Sequence, residues 1–298
     1  MSDRCSIRVN LWLMNLQEIP APDFDLALTL DSGQTFHWES LGKGFVGAID
    51  QRPVYVEQRG EALKFHGAPA KVVARYFALD HPLAEICASL PDDPAMQTAC
   101  EFCRGLRIIR QPRWECLASF ITSSMKQVAH IRQISRTLRE RFGMRRSLGG
   151  VHVYSYPSPE VIADLHEDDL RNCALGYRAK NLLATAQLIA RGDVNLEALN
   201  DLDDDELRAA LCALPGVGAK VANCVMLFAY ERLQAFPIDV WVERVLREKY
   251  FPRRRKFRPG ELAKFSAEHF GAHGGYAQQY LFHHARKTTP RRLSAPGS

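Results

Sequence analysis

The sequence predicts an α+β fold, a small antiparallel sheet leading into a larger, mainly helical body. Two observations carry this. Short alternating segments separated by turn residues fill the first third of the 298-residue chain, the pattern of antiparallel strands. After about residue 70 the apolar period becomes helical and stays so.

In chain order, residues 24–30 alternate weakly and stop at Asp31-Ser32-Gly33, and residues 35–38 follow as a second extended run. Residues 45–49, 54–57 and 62–65 are separated by Asp50-Gln51-Arg52-Pro53 and Arg59-Gly60. The spacing predicts a meander, and the polar alternation predicts one covered and one wet face. Helices are expected at 70–78, 94–103, 114–123 and 126–142, the third apolar nearly all round and therefore buried. Ser158-Pro159 supplies a cap and a first-turn proline for a helix over 160–173. Further helices are expected at 178–191, 204–214, 220–230, 240–250, 259–270 and 276–287. We divide the chain into a β domain at 1–112, a helical catalytic region at 113–287 and a basic tail at 288–298 that is expected to be disordered.

A net charge of +5 hides an asymmetry: from Trp241 onward there are thirteen Lys/Arg against four Asp/Glu, so the first 240 residues are net negative. A basic end suits a polyanionic partner, and equally a solvated tail. The eight cysteines are scattered. The lone pair Cys100 and Cys103 lacks a second pair at metal spacing, so neither a metal nor a cofactor is expected. No apolar stretch is long enough for a membrane span, and an intracellular monomer is expected.

The most informative stretch is Leu214-Pro215-Gly216-Val217-Gly218-Ala219-Lys220, set between two helical patterns. Gly216 and Gly218 permit a tight turn that Val217 can plug into the core. The following helix begins with free N–H groups that a phosphate oxygen can approach. A plain connection between helices would look the same. Downstream, Phe236-Pro237-Ile238-Asp239-Val240-Trp241 brings one carboxylate to a helix start. Singly, Lys220 is a phosphate contact or surface lysine and Asp239 a helix cap. Together they fit base excision, in which a carboxylate stabilises positive charge on deoxyribose and a neutral amine attacks the anomeric carbon.

With these residues the chain resembles the helix-hairpin-helix glycosylase superfamily, and more closely its 8-oxoguanine DNA glycosylase branch. Supporting stretches are Ser32-Gly33-Gln34-Thr35-Phe36-His37-Trp38, Tyr76-Phe77-Ala78-Leu79-Asp80, Leu175-Gly176-Tyr177-Arg178-Ala179-Lys180 and Gly275-Tyr276-Ala277-Gln278. The apolar segment from Glu115 through Ser124 matches as well. The resemblance implies a glycosylase and lyase acting on duplex DNA that carries an oxidised purine. It implies a Schiff-base role for Lys220 and carboxylate catalysis by Asp239. Cys224 and Phe282 would sandwich the flipped base, the carbonyl of Gly33 would sense the N7 hydrogen of 8-oxoguanine, and Gln278 would read the Watson–Crick edge. DNA contacts are implied for Gly216, Val217, Gly218, Met125, His130, Tyr177, Arg178 and Trp241.

The chain also departs from the family pattern. Met125 and His130 stand where the family has an asparagine and a cytosine-reading arginine, so a looser preference for the opposite base is expected. Trp241 and Ala285 replace a histidine and an aspartate that act together. No cysteine follows Cys224, which disfavours the iron–sulfur relatives.

Overall fold

The computed structural model describes residues 15–123 and 127–289; Met125 and most of the basic tail lie outside them. The chain opens with strand β1 (Gln17–Pro20) and helix α1 (Leu26–Asp31), followed by β2 (Glu39–Leu41), β3 (Gly44–Ile49), β4 (Arg52–Arg59) and β5 (Ala62–His66). Short helices α2 (Ala70–Tyr76), α3 (Leu83–Ala88) and α4 (Pro94–Phe102) lead to α5 (Arg113–Ser123) and α6 (Val128–Phe142). A hairpin, β6 (Arg145–Leu148) and β7 (Val151–Tyr154), separates these from α7 (Pro159–Ala163), α8 (Glu167–Arg171) and α9 (Arg178–Ala190). Then come α10 (Asp204–Cys212), α11 (Ala219–Ala229), α12 (Val240–Val245) with a π-helical turn over Leu246–Tyr250, α13 (Glu261–Phe270) and α14 (Gly274–Thr288).

The five-stranded sheet has the order β1-β5-β4-β3-β2, an antiparallel meander with the first strand added at the far edge. The fold class stands as expected, with local corrections. Residues 24–30 are not a strand. Asp25 accepts from the backbone N–H of Leu28 at 2.8 Å and caps α1, which buries Leu26, Thr29 and Leu30 on one helical face. Residues 35–38 are not extended pairing either; the strand begins at Glu39. Side chains, not a ladder, satisfy that stretch: Gln111 Nε2 donates to the Gln34 carbonyl at 2.6 Å, and His37 Nε2 bonds the Ala48 carbonyl at 2.8 Å. The single helix expected over 160–173 is two short ones, α7 and α8. Its predicted start is real, since Ser158 caps α7 and Pro159 is its first residue. The helix expected over 240–250 changes to a π-helical turn after Val245.

The sheet has no wet face at its centre. Val54, Val56, Leu63 and Phe65 pack on one side with Phe24, Tyr76 and Phe77. On the other, Val46, Ala48 and Tyr55 are covered by Leu148 and Val153 of the β6–β7 hairpin. The helical core is larger and continuous. It takes in Phe36 and buried residues from Leu83 to Ile108 together with α5, α9, α11, α12 and α14. No helix among the described residues is long and apolar enough to cross a membrane.

One charged pair lies inside. Glu115 on α5 and Arg139 on α6 are 6% and 4% exposed and bond directly. Arg139 also donates to the Tyr154 carbonyl at 3.0 Å, tying α5, α6 and the hairpin together. Burial pushes the Glu115 carboxyl upward, and Arg139 pulls it back. Removing one partner strands a buried charge, which costs about 3–5 kcal/mol, whereas replacing both with apolar groups is often neutral. Urea denaturation of Glu115→Ala should therefore show a loss of about 3–5 kcal/mol. Glu115→Leu combined with Arg139→Met should recover most of that loss.

Candidate active site

The turn between α10 and α11 carries the first part of the site. Asp203 caps α10 through the N–H groups of Asp205 and Glu206, and Glu206 returns the bond, so the approach helix starts at a fixed residue. Gly216 has φ +80°, and a β-carbon there would stand 2.7 Å from Asn181 Cβ; only glycine fits. Val217 is buried in the helical core, as expected, and its N–H reaches the Leu214 carbonyl at 3.1 Å. Gly218 caps α11 with extended backbone, and nothing stands within 4 Å of where its β-carbon would be. No side chain at Gly218 therefore stands between solvent and the start of α11, where an oxyanion can approach backbone N–H groups.

Lys220 is the second residue of α11, half-buried, with Nζ 5.1 Å from the centroid of the Phe120 ring. Phe120 is itself fixed by stacking on Phe228 and by an edge contact with Phe36. Cys224 lies one turn further along α11 and is buried. Burial lifts its thiol to about 11, opposed by the charge and hydrogen bond of Lys220. A thiol so placed is a neutral wall, not a nucleophile.

Asp239, at the start of α12, is close enough to act electrostatically on Cys224 and to feel Lys220. It caps α12 with one oxygen, Oδ1, which accepts from Trp241 N at 3.0 Å and Val242 N at 2.9 Å. The cap therefore leaves Oδ2 for other work. Burial pushes its carboxyl above the ordinary value of 3.8, against the two N–H groups and the nearby charge of Lys220. Lys220, Cys224 and Asp239 thus feel one another's charge, and the sequence-predicted chemical pair is brought together.

Helix α14 supplies the rest. Gln278 is 5% exposed, and its Oε1 is buried without a hydrogen-bond partner among the described residues. Such an orphaned acceptor is costly unless something occupies it. Phe282, one turn on, is half-buried. Across from it Gly33 has φ +87°, and a β-carbon there would stand 3.1 Å from Phe282 Cε1. The Gly33 loop is held by residues that sequence reasoning missed. Gln279 donates to the Ser32 carbonyl at 2.9 Å, and Gln34 Nε2 donates to Ser32 Oγ at 2.9 Å and the Arg107 carbonyl at 2.8 Å. Gln34 lies within the Ser32–Trp38 stretch and Gln279 directly follows Gln278, and neither carries a local signal that it holds the turn.

The remaining predicted residues lie on other elements. Trp241 is half-buried in the first turn of α12. Tyr177 is 58% exposed at the start of α9, while Arg178 beside it is buried, bonded to the Leu175 carbonyl at 2.9 Å and set 4.6 Å from the Tyr177 ring centroid. His130 is exposed near the start of α6. Met125 lies outside the described residues.

Two family patterns match the chain. The 8-oxoguanine DNA glycosylase N-terminal domain covers residues 17–117, and the HhH-GPD superfamily of base-excision DNA repair proteins covers residues 118–267. Fold, hairpin and matches define a helix-hairpin-helix DNA-repair protein. Within that superfamily, the chain belongs to the 8-oxoguanine DNA glycosylase family. It is similar to a probable N-glycosylase/DNA lyase of Methanothermobacter thermautotrophicus, at 29% identity over 91% of this chain and 96% of that one. Among solved structures it resembles MBOgg1 bound to a low-affinity DNA ligand, at 31% identity and TM-score 0.87, covering 92% and 98% of the two chains. It also resembles the Clostridium acetobutylicum 8-oxoguanine glycosylase/lyase bound to duplex DNA with cytosine opposite the lesion. That match has 31% identity and TM-score 0.85, covering 91% and 97%.

Only the ionised form of Asp239 can stabilise a cationic sugar. Its raised position means that form is lost, as pH falls, at a higher pH than for an ordinary carboxyl. A single-turnover excision profile should therefore show its acid limb above pH 3.8. A limb at or below that value would show that burial does not govern this group.

Proposed function

We propose that this protein is a bifunctional DNA glycosylase and AP lyase that excises 8-oxoguanine from duplex DNA. The observation that carries the reading is the placing of Lys220 and Cys224 one turn apart on α11, close enough to the Asp239 cap of α12 to act on it electrostatically. Family membership and the glycosylase/lyase names of the relatives supply the substrate class.

In this reading the damaged nucleotide leaves the stack. Its base enters between Cys224 and Phe282, its Watson–Crick edge meets Gln278, and the Gly33 carbonyl accepts the N7 hydrogen that only the oxidised base carries. Asp239 stabilises positive charge on the sugar as the base departs. Lys220 Nζ then bonds C1′ and gives up a proton, the C1′–O4′ bond breaks as O4′ takes up a proton to leave a Schiff base, and loss of a C2′ proton expels the 3′ phosphate. The hairpin of Gly216, Val217 and Gly218 grips the backbone without reading sequence. Met125, His130, Tyr177, Arg178 and Trp241 contact the gap left in the duplex and its phosphates. The protein acts as a monomer on DNA inside the cell, and no step calls for a cofactor.

Borohydride should trap a covalent adduct between the wild-type protein and DNA holding 8-oxoguanine, and Lys220→Gln should abolish it. Absence of an adduct from wild type on any oxidised-purine duplex would overturn the mechanism. In a cleavage series with C, A, G and T opposite the lesion, rates should differ less than for an enzyme strict for cytosine. Strict selectivity for C would remove Met125 and His130 as determinants of partner choice.

A further inference from the structure

Arg286 on α14 is not among the residues that the functional reading uses, yet it touches both sides of the lesion pocket. It follows Phe282 by one helical turn, and its Cζ stands 5.7 Å from the Phe282 ring centroid. Its Nη1 lies 3.7 Å from where a Gly33 β-carbon would be. Its Nη2 donates to the backbone carbonyl of Asp31 and, at 3.1 Å, to His283 Nδ1. The side chain is only 15% exposed, and its Nε is buried without a partner among the described residues. A solvated surface arginine does not adopt such a position. Desolvation is accepted here for contacts that are fixed in place.

Its surroundings are arranged to hold it. Asp31 faces three cations, with Arg132 Nη2 at 3.0 Å, Arg286 Nη2 at 3.8 Å and Lys287 bonded directly. His283 is 1% exposed, and burial beside Arg286 pushes its imidazole down to about 4, so it stays neutral and accepts at Nδ1. Two of these three cations come from α14 and one from α6, which pins the end of α1 and the following turn from both directions.

We propose that Arg286 is a positioning residue of the lesion pocket, clamping the Gly33 turn against the Phe282 ring so that the Gly33 carbonyl and the ring face the flipped base in fixed register. The inference rests on the functional reading given above. A sensor built on one carbonyl oxygen discriminates only if that oxygen cannot move, because displacement by an ångström costs about a hundredfold in rate. Gln279 and Gln34 hold the turn on its inner side. Arg286 holds the side next to the base and reaches the ring as well as the turn.

The test compares Arg286→Met, which keeps the apolar stem but removes the donors, with Arg286→Lys, which keeps the charge and one donor set. Single-turnover excision of 8-oxoguanine is measured alongside strand cleavage at a preformed abasic site, which needs no base recognition. Excision by Arg286→Met should fall at least about tenfold relative to cleavage at the abasic site, with partial rescue in Arg286→Lys. Hydrogen exchange on the full chain should show faster exchange at residues 31–36. Parallel loss of both activities, or no change in either with unchanged exchange at residues 31–36, would overturn the clamp. If wild type cleaved no 8-oxoguanine duplex while exchange still rose at residues 31–36 in Arg286→Met, the functional reading would fail and the clamp itself would stand.

Discussion

The site depends on one carboxylate that is kept both buried and usable. Asp239 sits where burial works against its charge, and the first N–H groups of α12 offset that penalty by bonding Oδ1. This makes structure and chemistry inseparable at one residue. The cap fixes where α12 starts, and the helix start fixes where the remaining oxygen points. Pro237 and the buried Phe236 set the approach to the cap, so an apolar loop delivers a carboxyl group to a half-buried position. A charge placed this way needs no reorganisation when positive charge develops beside it.

Around that carboxylate the fold brings together elements distant in sequence. α11 presents Lys220 and Cys224 on one face, a turn apart, with Phe120 of α5 beneath the amine. α14 packs against α12 and against the loop that precedes it. A β-carbon at Gly275 would stand 2.8 Å from the Leu233 carbonyl of that loop, so α14 approaches the loop closely only because glycine is there. The other end of α14 reaches back to the turn after α1. One helix therefore links the neighbourhood of Lys220 and Asp239 to the Gly33 turn, through hydrogen bonds from Gln279 and Arg286. The Oε1 of Gln278, in the middle of this helix, is buried without a hydrogen-bond partner among the described residues.

Much of this was legible in the sequence, for physical reasons that differ by residue. The Gly216-Val217-Gly218 turn announced itself because only glycine tolerates the backbone at Gly216 and an apolar residue at 217 plugs the turn into the core. Asp239 was readable both as cap and as catalyst, and it serves the first role in the structure. The strand reading of residues 24–30 failed because leucines at 26, 28 and 30 alternate as in a strand, whereas the short helix buries Leu26, Thr29 and Leu30 and its Asp25 cap was one polar residue among several. The covered outer face of the sheet escaped notice because its cover, the β6–β7 hairpin, is rich in arginine and arrives some ninety residues later. Arg286 was invisible for a similar reason. Its significance lies in Asp31, Gly33 and Phe282 meeting at one point, which no local pattern encodes.

The most direct test is a crystal structure of the borohydride-trapped complex with DNA containing 8-oxoguanine. The account predicts Lys220 Nζ bonded to C1′, with Asp239 still accepting from Trp241 and Val242 through Oδ1 while Oδ2 faces the sugar. A bond from any other amine, or an Asp239 carboxylate turned away from the sugar, would contradict it.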